Sequence, residues 1–317
     1  MGIFTKIRHS ISGPEISIFH KFQKPPYGGG NQFLLALAKE LRKRGVDVGN
    51  NVVGRNTRAV LFNSFEFDRD KLANYRKKFG TRMIQRLAGP IGIYRETDIQ
   101  IDKDIWELNG KYADATIFIS NYSYNKYLEL GLIYKEPHVI LNACDPDIFN
   151  RFNRIPPPDG KRKIRLIATA WSDHPKKGGP FLSWLDEHFD HSKYELTFVG
   201  RTKAEFRSAH LIEPISSEKL ADILRQNDIY IAPSQDDPCS NALVEALTCG
   251  MPAVFLRSGG HPELVKEGGE GYSSFDEALE AINKIASDYE KYQSKISNPD
   301  LREVTDMYLE VFDVNEH

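Results

Sequence analysis

The sequence predicts an α/β protein of two domains, each built around a parallel β-sheet. Three observations support this prediction. Segments with strand and helix patterns alternate along nearly the whole chain. The length of 317 residues exceeds what one ordinary core needs. Residues 153–160 contain three successive prolines without apolar periodicity, which is typical of an interdomain linker.

In the first half, residues 16–19 are predicted to form a strand that leads into a glycine-rich loop at 24–30. A helix follows over 32–44, because apolar residues recur on one face and Gly45 can end it. Four further apolar runs predict strands with helices between them: 60–62, 83–86, 115–119 and 138–141.

The alternation starts afresh after the linker. Four apolar runs predict buried strands: 164–170, 195–199, 229–232 and 253–256. Helical periodicity predicts helices in the intervals and at the end of the chain: 180–189, 217–226, 241–249, 275–287 and 300–312.

Composition excludes several classes of protein. With 40% hydrophobic and 27% charged residues the chain is typical of soluble globular proteins, and no apolar run approaches the ~20 residues of a membrane-spanning helix. Residues 1–9 lack the continuous apolar core of a signal peptide. Three unevenly spaced cysteines indicate neither a disulfide framework nor a zinc site. We therefore expect a cytoplasmic protein with reduced thiols.

The net charge is −2, but charge is unevenly distributed along the chain. Residues 1–157 contain 24 Lys and Arg against 16 Asp and Glu (+8), and the remainder contains 18 against 28 (−10). The basic clusters at 42–44 and 76–78 are either solvated helix faces or contacts with an anionic partner, such as a membrane surface reached from the cytoplasm. Nucleic acid is not expected, because aromatic residues do not interleave with the basic ones.

The segment 229–249 is the most informative part of the chain. A predicted buried strand is followed by a polar loop that contains Asp237, and then by a helix capped at Ser240 or Asn241. Free backbone amides and the positive end of the helix dipole would then lie where the chain leaves a parallel sheet. This is the usual place for a phosphate in an open α/β fold, so a nucleotide is the expected ligand.

Three motifs between residues 237 and 265 together resemble the nucleotide-sugar motif of the retaining family 4 glycosyltransferases, which belong to the glycosyl transferases group 1. They are DPCSNALVE (237–245), ALTCGMP (246–252) and GGHPELV (259–265). Three shorter pieces agree with the resemblance: GGG at 28–30, NACD at 142–145 and KG at 177–178.

The resemblance implies the GT-B fold, in which two Rossmann-like domains face each other across a cleft. It implies an acceptor-binding domain over 1–157 and a nucleotide-sugar-binding domain over 158–298. The final segment, 299–317, is implied to be a helix that packs back on the first domain.

The resemblance also implies roles for three side chains. Glu245 would hold the ribose hydroxyls of the donor, and Asp237 would contact hydroxyls of the transferred sugar. Asp237 stands where the family has Glu, so we expect it to alter the choice of sugar. Lys177 would stabilise the charge of the leaving diphosphate, helped by the backbone amides of Ser240, Asn241, Ala242 and Leu243. On the residues alone, all three side chains could instead be ordinary loop or first-turn charges.

One position departs from the family. Trp171 stands six positions before Lys177, where an arginine is common. Lys176, Arg201 and Arg86 are the candidates to supply the missing charge, and the sequence does not choose between them.

Further residues are implied on both sides of the site. Gly29 and Gly30 would allow the backbone to approach the donor closely, and the base would be recognised by backbone groups around 213–217. On the acceptor side, Arg86 aligns with a histidine that many relatives carry. Arg95 and Asp98 either line the acceptor site or form a surface ion pair.

No metal site is expected. Asp145 and Asp147 mimic the DxD motif of the other major glycosyltransferase fold, but they lie in a turn-like setting before the linker. His261 and the other histidines have no partner at the spacing of metal ligands. The chain also lacks a GxSxG or Cys/His pattern for nucleophilic hydrolysis.

The sequence therefore predicts a retaining glycosyltransferase of the hexosyltransferase type that needs no metal or cofactor. It would move a sugar from a nucleoside diphosphate sugar to a hydroxyl of a glycan or lipid-linked acceptor, in polysaccharide or glycolipid biosynthesis. Two alternatives stay open. One is a nucleotide-sugar epimerase or inverting transferase on the same fold, against which the acids at 237 and 245 argue. The other is a non-catalytic sugar-nucleotide-binding protein, which the departures at 171 and 237 favour.

Overall fold

The computed structural model describes residues 12–24, 28–64 and 67–314. The expectation for a signal peptide at residues 1–9 concerns positions outside these ranges. Contacts between Cα atoms divide the chain into two compact units. The first comprises Met1–Gln23, Leu34–Leu141 and Asp300–His317, and the second comprises Lys24–Phe33 and Asn142–Pro299.

Six parallel strands form the sheet of the first unit, in the order β2-β1-β3-β4-β5-β6. They are β1 (Ile16–Phe19), β2 (Val48–Asn50), β3 (Ala59–Asn63), β4 (Arg82–Leu87), β5 (Ala115–Phe118) and β6 (Pro137–Val139). The four inner strands are almost entirely buried, as expected for a parallel sheet that helices cover on both faces.

Helices connect these strands. They are α1 (Gly29–Lys43), α2 (Arg69–Phe79), α3 (Ile91–Arg95), α4 (Gln100–Tyr112) and α5 (Asn121–Glu129). Local sequence sets their ends: the Asp68 carboxylate accepts from the amide of Lys71 at the start of α2, and Gly80 ends that helix in a left-handed conformation.

The second unit contains six more parallel strands, in the order β12-β11-β10-β7-β8-β9. They are β7 (Ile164–Ala170), β8 (Tyr194–Gly200), β9 (His210–Ile212), β10 (Ile229–Ala232), β11 (Ala253–Leu256) and β12 (Gly269–Tyr272). Numbered from β7 as strand one, the order is 3-2-1-4-5-6, which is that of dinucleotide-binding sheets. The direction of the strand order therefore reverses between β7 and β10.

The helices of the second unit follow the predicted intervals. They are α6 (Gly179–His188), α7 (Ser217–Arg225), α8 (Asn241–Thr248), α9 (His261–Val265), α10 (Phe275–Ser287) and α11 (Tyr289–Ser294). Apolar side chains of α6 and α10 pack on the same apolar cluster of the sheet, around Leu166 and Ile231.

The last helix, α12 (Leu301–Phe312), packs on the sheet of the first unit although it follows the second unit in the chain. The Arg86 guanidinium of β4 donates from Nε to the Tyr308 hydroxyl at 3.1 Å, and Arg82 Nε donates to the Val311 carbonyl at 2.9 Å. The Arg44 side chain also pairs with Asp306. These contacts fix α12 to the first unit.

The predicted α/β class with parallel sheets is confirmed. Each predicted strand is present with ends within two residues of the prediction. Three strands were not predicted, namely β2, β9 and β12, and each lies at an edge of its sheet. Edge strands are short and are less completely buried, so they carry a weaker apolar signal.

The boundary between the units lies between residues 141 and 142, earlier than the predicted 157/158. Residues after 141 already bond within the second unit. The Cys144 thiol contacts the Thr248 hydroxyl, and the Arg154 guanidinium donates to the Tyr289 hydroxyl at 2.5 Å. The prolines at 156–158 are therefore part of the second unit.

Arginines of the basic clusters in the N-terminal half make contacts inside the first unit. Arg42 donates to the Val48 carbonyl at 3.0 Å, and Arg76 makes a bidentate pair with Asp114 at 2.5 and 2.6 Å. These side chains stabilise the fold, so less of the basic surplus is left for an anionic partner. Across the residues described, no helix is long and apolar enough to cross a membrane.

Candidate active site

The candidate site lies in the second unit, at the carboxyl ends of β7 and β10. In an open parallel sheet, ligands bind where the strand order reverses, because the loops from the two neighbouring strands diverge there. The loop after β7 contains Lys176 and Lys177, and the loop after β10 contains Asp236 and Asp237. Residues far apart in the chain are thus brought to one edge of the sheet.

Two adjacent ion pairs join these loops. Lys177 Nζ lies 2.9 Å from Asp237 Oδ2, and Lys176 Nζ lies 2.9 Å from Asp236 Oδ2. The amide of Gln235 also donates to the Lys176 carbonyl at 2.8 Å. The two pairs differ in exposure, because the Lys176 side chain is 10% exposed and that of Lys177 is 26% exposed. Lys177 is therefore the more accessible of the two ammonium groups.

A short 3₁₀ turn, Pro175–Lys177, sets the position of both lysines. The His174 imidazole accepts from the amide of Lys176 and caps the turn. Gly178 ends it at φ +82°, and a Cβ there would collide with Pro233. Glycine is thus required both by the left-handed backbone and by the packing of the two loops.

Asp237 is buried and stays ionised. Burial alone would raise the pKa of Asp237, but the charge of Lys177 and the backbone N–H of Cys239 hold that pKa below its ordinary value. The ionised carboxylate therefore holds the Lys177 ammonium group in place.

A buried histidine lies behind this pair. His261 Nδ1 lies 3.1 Å from the Leu256 carbonyl, and its Nε2 lies 3.1 Å from the Ser234 hydroxyl, which is itself 3.5 Å from Asp237 Oδ2. Burial lowers the pKa of His261 although the charge of Asp237 acts against this. The neutral ring then carries its proton on Nδ1 and accepts from Ser234 at Nε2.

The glycine pair of the third motif has a steric role in the loop. A Cβ on Gly259 would overlap the backbone of Asp237, and one on Gly260 would overlap the Pro238 carbonyl. The amide of Gly260 donates to the Asp237 carbonyl at 2.9 Å. These two glycines therefore let the loop before α9 pack directly against the acidic loop.

The helix that follows, α8, presents backbone donors at its start. The Ser240 hydroxyl accepts from the amide of Leu243, so that amide is already satisfied. The amides of Asn241 and Ala242 have no acceptor among the residues that the structure describes. Of the four predicted amides, that of Leu243 is already taken, and those of Asn241 and Ala242 lie in the first turn of α8 and are available to an anion.

The side chain of Asn241 explains one predicted glycine. Asn142 Nδ2 donates to Asn241 Oδ1 at 3.2 Å, and a Cβ on Gly29 would collide with the Asn241 amide group. Gly29 lies in the segment Lys24–Phe33, which is grouped with the second unit. Gly30 faces open space instead.

Glu245 lies one turn into α8 and is partly buried. No donor or cation pairs with its carboxyl group within the described ranges. Burial raises the pKa of Glu245 to about 8. A partly buried acid with a raised pKa and no partner within the fold is typical of a group whose partner is a ligand.

The residues predicted for the acceptor side lie in the first unit. Arg86 is buried at the end of β4 and donates to Tyr308. Arg95 ends α3 and is exposed, while Asp98 is exposed and accepts from the amide of Gln100 at 2.9 Å. The described structure has no ion pair between Arg95 and Asp98, so the alternative reading of a surface ion pair is not observed.

Neither Ser234 nor the supporting role of His261 behind Asp237 was predicted from the sequence. A histidine directly after the glycine pair and before proline was the available signal.

Within the described ranges no group of three or more His, Cys, Asp or Glu side chains is arranged to hold a metal ion.

Comparison with known proteins supports the C-terminal motifs. Residues 189–299 match the model of the family described as glycosyl transferases group 1, which confirms the resemblance over this region. A probable sucrose-phosphate synthase of Thermosipho melanesiensis is 25% identical over 190 residues, which is 54% of this chain and 44% of that protein. The chain thus spans less than half the length of this relative.

Solved structures share the fold across nearly the whole chain. The structure of Anabaena HepE in complex with UDP-glucose has a TM-score of 0.71 at 15% identity, with 94% of this chain and 99% of that chain covered. The catalytic domain of Arabidopsis thaliana starch synthase IV, bound to ADP and acarbose, has a TM-score of 0.72 at 10% identity, with 95% and 99% covered. The two α/β units therefore form the GT-B fold.

Proposed function

We propose that the chain is a retaining, metal-independent glycosyltransferase that uses a nucleoside diphosphate sugar as donor. One observation carries the proposal. Where the strand order of the second sheet reverses, the Lys177–Asp237 pair adjoins the start of α8, with two open amides and the unpartnered acid Glu245. A cation and open backbone amides are the groups that bind a diphosphate, and an acid is the group that binds ribose hydroxyls.

The chemistry needs charge stabilisation rather than a protein nucleophile. The bond between the anomeric carbon and the diphosphate oxygen breaks, and its electron pair stays on the leaving nucleoside diphosphate. Lys177 and the amides of Asn241 and Ala242 stabilise that charge. The acceptor hydroxyl bonds to the anomeric carbon on the same face, and its proton passes to the leaving phosphate oxygen.

An ammonium group has three donors, so Lys177 can bind a phosphate oxygen while it remains paired with Asp237. The second carboxylate oxygen of Asp237 is then the group proposed to orient hydroxyls of the sugar. Glu245 is proposed to accept hydrogen bonds from the ribose hydroxyls. Lys176 already has an ion pair and little exposure, so we assign it to the support of the loop.

We assign acceptor binding to the first unit, where Arg95 and Asp98 are exposed and open to a glycan or lipid-linked acceptor. Arg86 is proposed only as a support at this side, because its guanidinium is buried against Tyr308. We also propose that the protein is cytoplasmic and contacts the membrane surface peripherally.

Uridine is the first base to test, because HepE was crystallised with UDP-glucose. The adenine of the starch synthase complex makes ADP-glucose the natural comparison. The segment 213–217, which follows β9 and contains the Ser216 cap of α7, is the proposed place of backbone contacts to the base.

The test is a transfer assay with UDP- and ADP-sugars over a panel of glycan and lipid-linked acceptors, with and without EDTA. We expect donor consumption that EDTA does not change, and an α-linked product from an α-linked donor by NMR. A β-linked product would contradict retention. Tight donor binding without transfer or donor hydrolysis across the panel would favour the non-catalytic alternative.

A further inference from the structure

A cavity of about 320 Å³ opens beside Lys177 in the second unit, at the carboxyl ends of β7 and β8. Its size is at the lower end of the range of roughly 300–1,000 Å³ for ligand pockets. Three cationic side chains line it, Lys177, Arg201 and Lys203, against one carboxylate, Asp173. The excess of positive charge favours an anionic occupant.

The three cations differ in what holds them. Lys177 pairs with Asp237 and Lys203 pairs with Asp173, each at 2.9 Å. Arg201 has no carboxylate within ion-pair distance in the part of the chain that the structure describes. Arg201 is thus the one of these three cations without a direct ion pair, and the carboxylate of Asp173 acts on it only at longer range.

An aromatic ring holds Arg201 instead. Its guanidinium lies 4.4 Å from the centre of the Trp171 ring, and Nη1 donates to the Trp171 carbonyl at 3.4 Å. A guanidinium group that stacks on an aromatic ring uses its face for this contact. The N–H groups in its plane then stay available as hydrogen-bond donors. The remaining N–H donors are then pre-oriented for an anion.

The backbone places the two residues side by side. β7 and β8 are parallel neighbours in which Ala170 pairs with Gly200, and the amide of Arg201 donates to the Ala170 carbonyl at 3.0 Å. Gly200 has φ +133°, and a Cβ there would overlap that carbonyl. Glycine therefore allows the strand ends to approach closely enough for the Trp171–Arg201 stack.

We propose that Arg201 binds the diphosphate of the donor from this cavity and that Trp171 is its positioning residue. The inference rests on the proposed function, since it assigns groups to the donor of that reaction. Stacking on the Trp171 ring would then orient the Arg201 guanidinium towards the phosphates, without the help of a carboxylate.

Calorimetric titration of the full chain with UDP, UMP and uridine tests this inference. Arg201→Ala should weaken UDP binding about tenfold to a hundredfold, as expected for loss of a charge-assisted hydrogen bond. Uridine binding should change less than about twofold, because uridine lacks the phosphates. Lys193→Ala is the control, since it removes an exposed cation of the same unit that lies outside the cavity and pairs with Asp190, and it should leave UDP binding within about twofold.

The role of Trp171 is tested by a double-mutant cycle. Trp171→Ala should weaken UDP binding about threefold to tenfold, and the Trp171→Ala/Arg201→Ala protein should bind no worse than Arg201→Ala alone. Trp171→Phe, which keeps a ring, should restore most of the affinity. Thermal melting of each variant checks that it is folded.

The possible results distinguish a failure of the proposed function from a failure of the role of Arg201. If the unaltered chain binds no nucleoside diphosphate, the proposed function and this inference both fail. If it binds UDP but Arg201→Ala leaves UDP affinity unchanged, or weakens uridine equally, the inference alone is overturned. If the effects of the two substitutions simply add, Trp171 does not position Arg201.

Discussion

The carboxyl ends of the two sheets present different chemistry. In the second unit, the reversal of strand order brings together Lys177, Asp237 and Glu245, whose charges face each other or lack a partner within the fold. In the first unit, the order reverses between β1 and β3, where His20 is buried and its Nδ1 lies 3.0 Å from Asn63 Nδ2. The edge of the second sheet carries a lysine–aspartate pair and a glutamate, whereas that of the first sheet carries a contact between an imidazole and a side-chain amide.

The difference supports the proposal that the second unit binds the charged substrate. A diphosphate needs fixed cations and open amides, which the second unit offers. In the first unit the buried arginine at a strand end, Arg86, is bonded to the last helix. The first edge is therefore suited to holding the fold and to neutral contacts, and the second is suited to the donor.

The largest expected effect comes from Lys177→Ala. Removal of one group that stabilises charge in the transition state typically costs about a hundredfold to a thousandfold in rate. We expect a loss of this size in kcat for sugar transfer. Uridine binding, measured by calorimetry, serves as the control for folding and should be nearly unchanged. A kcat within about threefold of the original would remove Lys177 from the mechanism.

Glu245→Gln should weaken donor binding and change its pH dependence. In the free protein the pKa of Glu245 is about 8. In the proposed complex the ribose hydroxyls donate to the ionised form. Affinity for UDP-glucose should therefore rise with pH by up to about tenfold per unit below pH 8 and level off above it. The glutamine variant should bind more weakly and show no such slope. An identical slope in both proteins would show that another group titrates.

The same carboxyl group should affect the free energy of unfolding. An unfolded glutamate has a pKa of about 4.3, so between this value and 8 the folded state holds a proton that the unfolded state releases. Stability of the ligand-free protein should fall as pH rises through this window, by on the order of a few kcal/mol in total. Urea unfolding of Glu245→Gln over the same range should show a flatter dependence, and a steeper one would contradict the assignment.

Asp237→Asn and Asp236→Asn form a matched pair, because each acid binds one of two adjacent lysines at 2.9 Å. Asp237→Asn removes the charge that holds Lys177 and should lower the transfer rate about tenfold. Asp236→Asn changes only the more buried Lys176–Asp236 pair and should leave the transfer rate within about twofold of the original. Equal effects in a steady-state assay would show that the two pairs act alike.

The smallest functional effect is expected in the first unit. Tyr308→Phe removes the hydroxyl that accepts from Arg86 Nε at 3.1 Å. The free energy of unfolding should fall by about 1–2 kcal/mol, measured by urea denaturation, because a buried charged donor loses an acceptor. Affinity for UDP should not change. A clear loss of UDP affinity would mean that the first edge also serves the donor.

Much of the fold follows from the sequence because buried strands and capped helices leave strong local patterns. The strands Ile229–Ala232 and Ala253–Leu256 match the prediction at both ends. The edge strands β2, β9 and β12 escaped prediction, since an edge such as Gly269–Tyr272 has no apolar run. Their pairing depends on a neighbouring strand that a local pattern does not report.

The candidate site was predictable to a different degree. The resemblance to a known family implied Lys177, Asp237 and Glu245 as members of one site. The ion pair between Lys177 and Asp237, the Ser234–His261 contact behind it and the Trp171–Arg201 stack were not predictable. They join residues that lie 27 to 60 positions apart, and only the strand order brings them together.

The edge of the second unit that contains Lys177 and Glu245 is proposed to bind the nucleoside diphosphate. A crystal structure of the full chain with UDP would show whether it does. We expect a phosphate oxygen within hydrogen-bond distance of Lys177 Nζ and the ribose hydroxyls on Glu245. UDP bound at the His20–Asn63 edge of the first unit, or bound in the second unit without contact to Lys177, would be incompatible with this proposal.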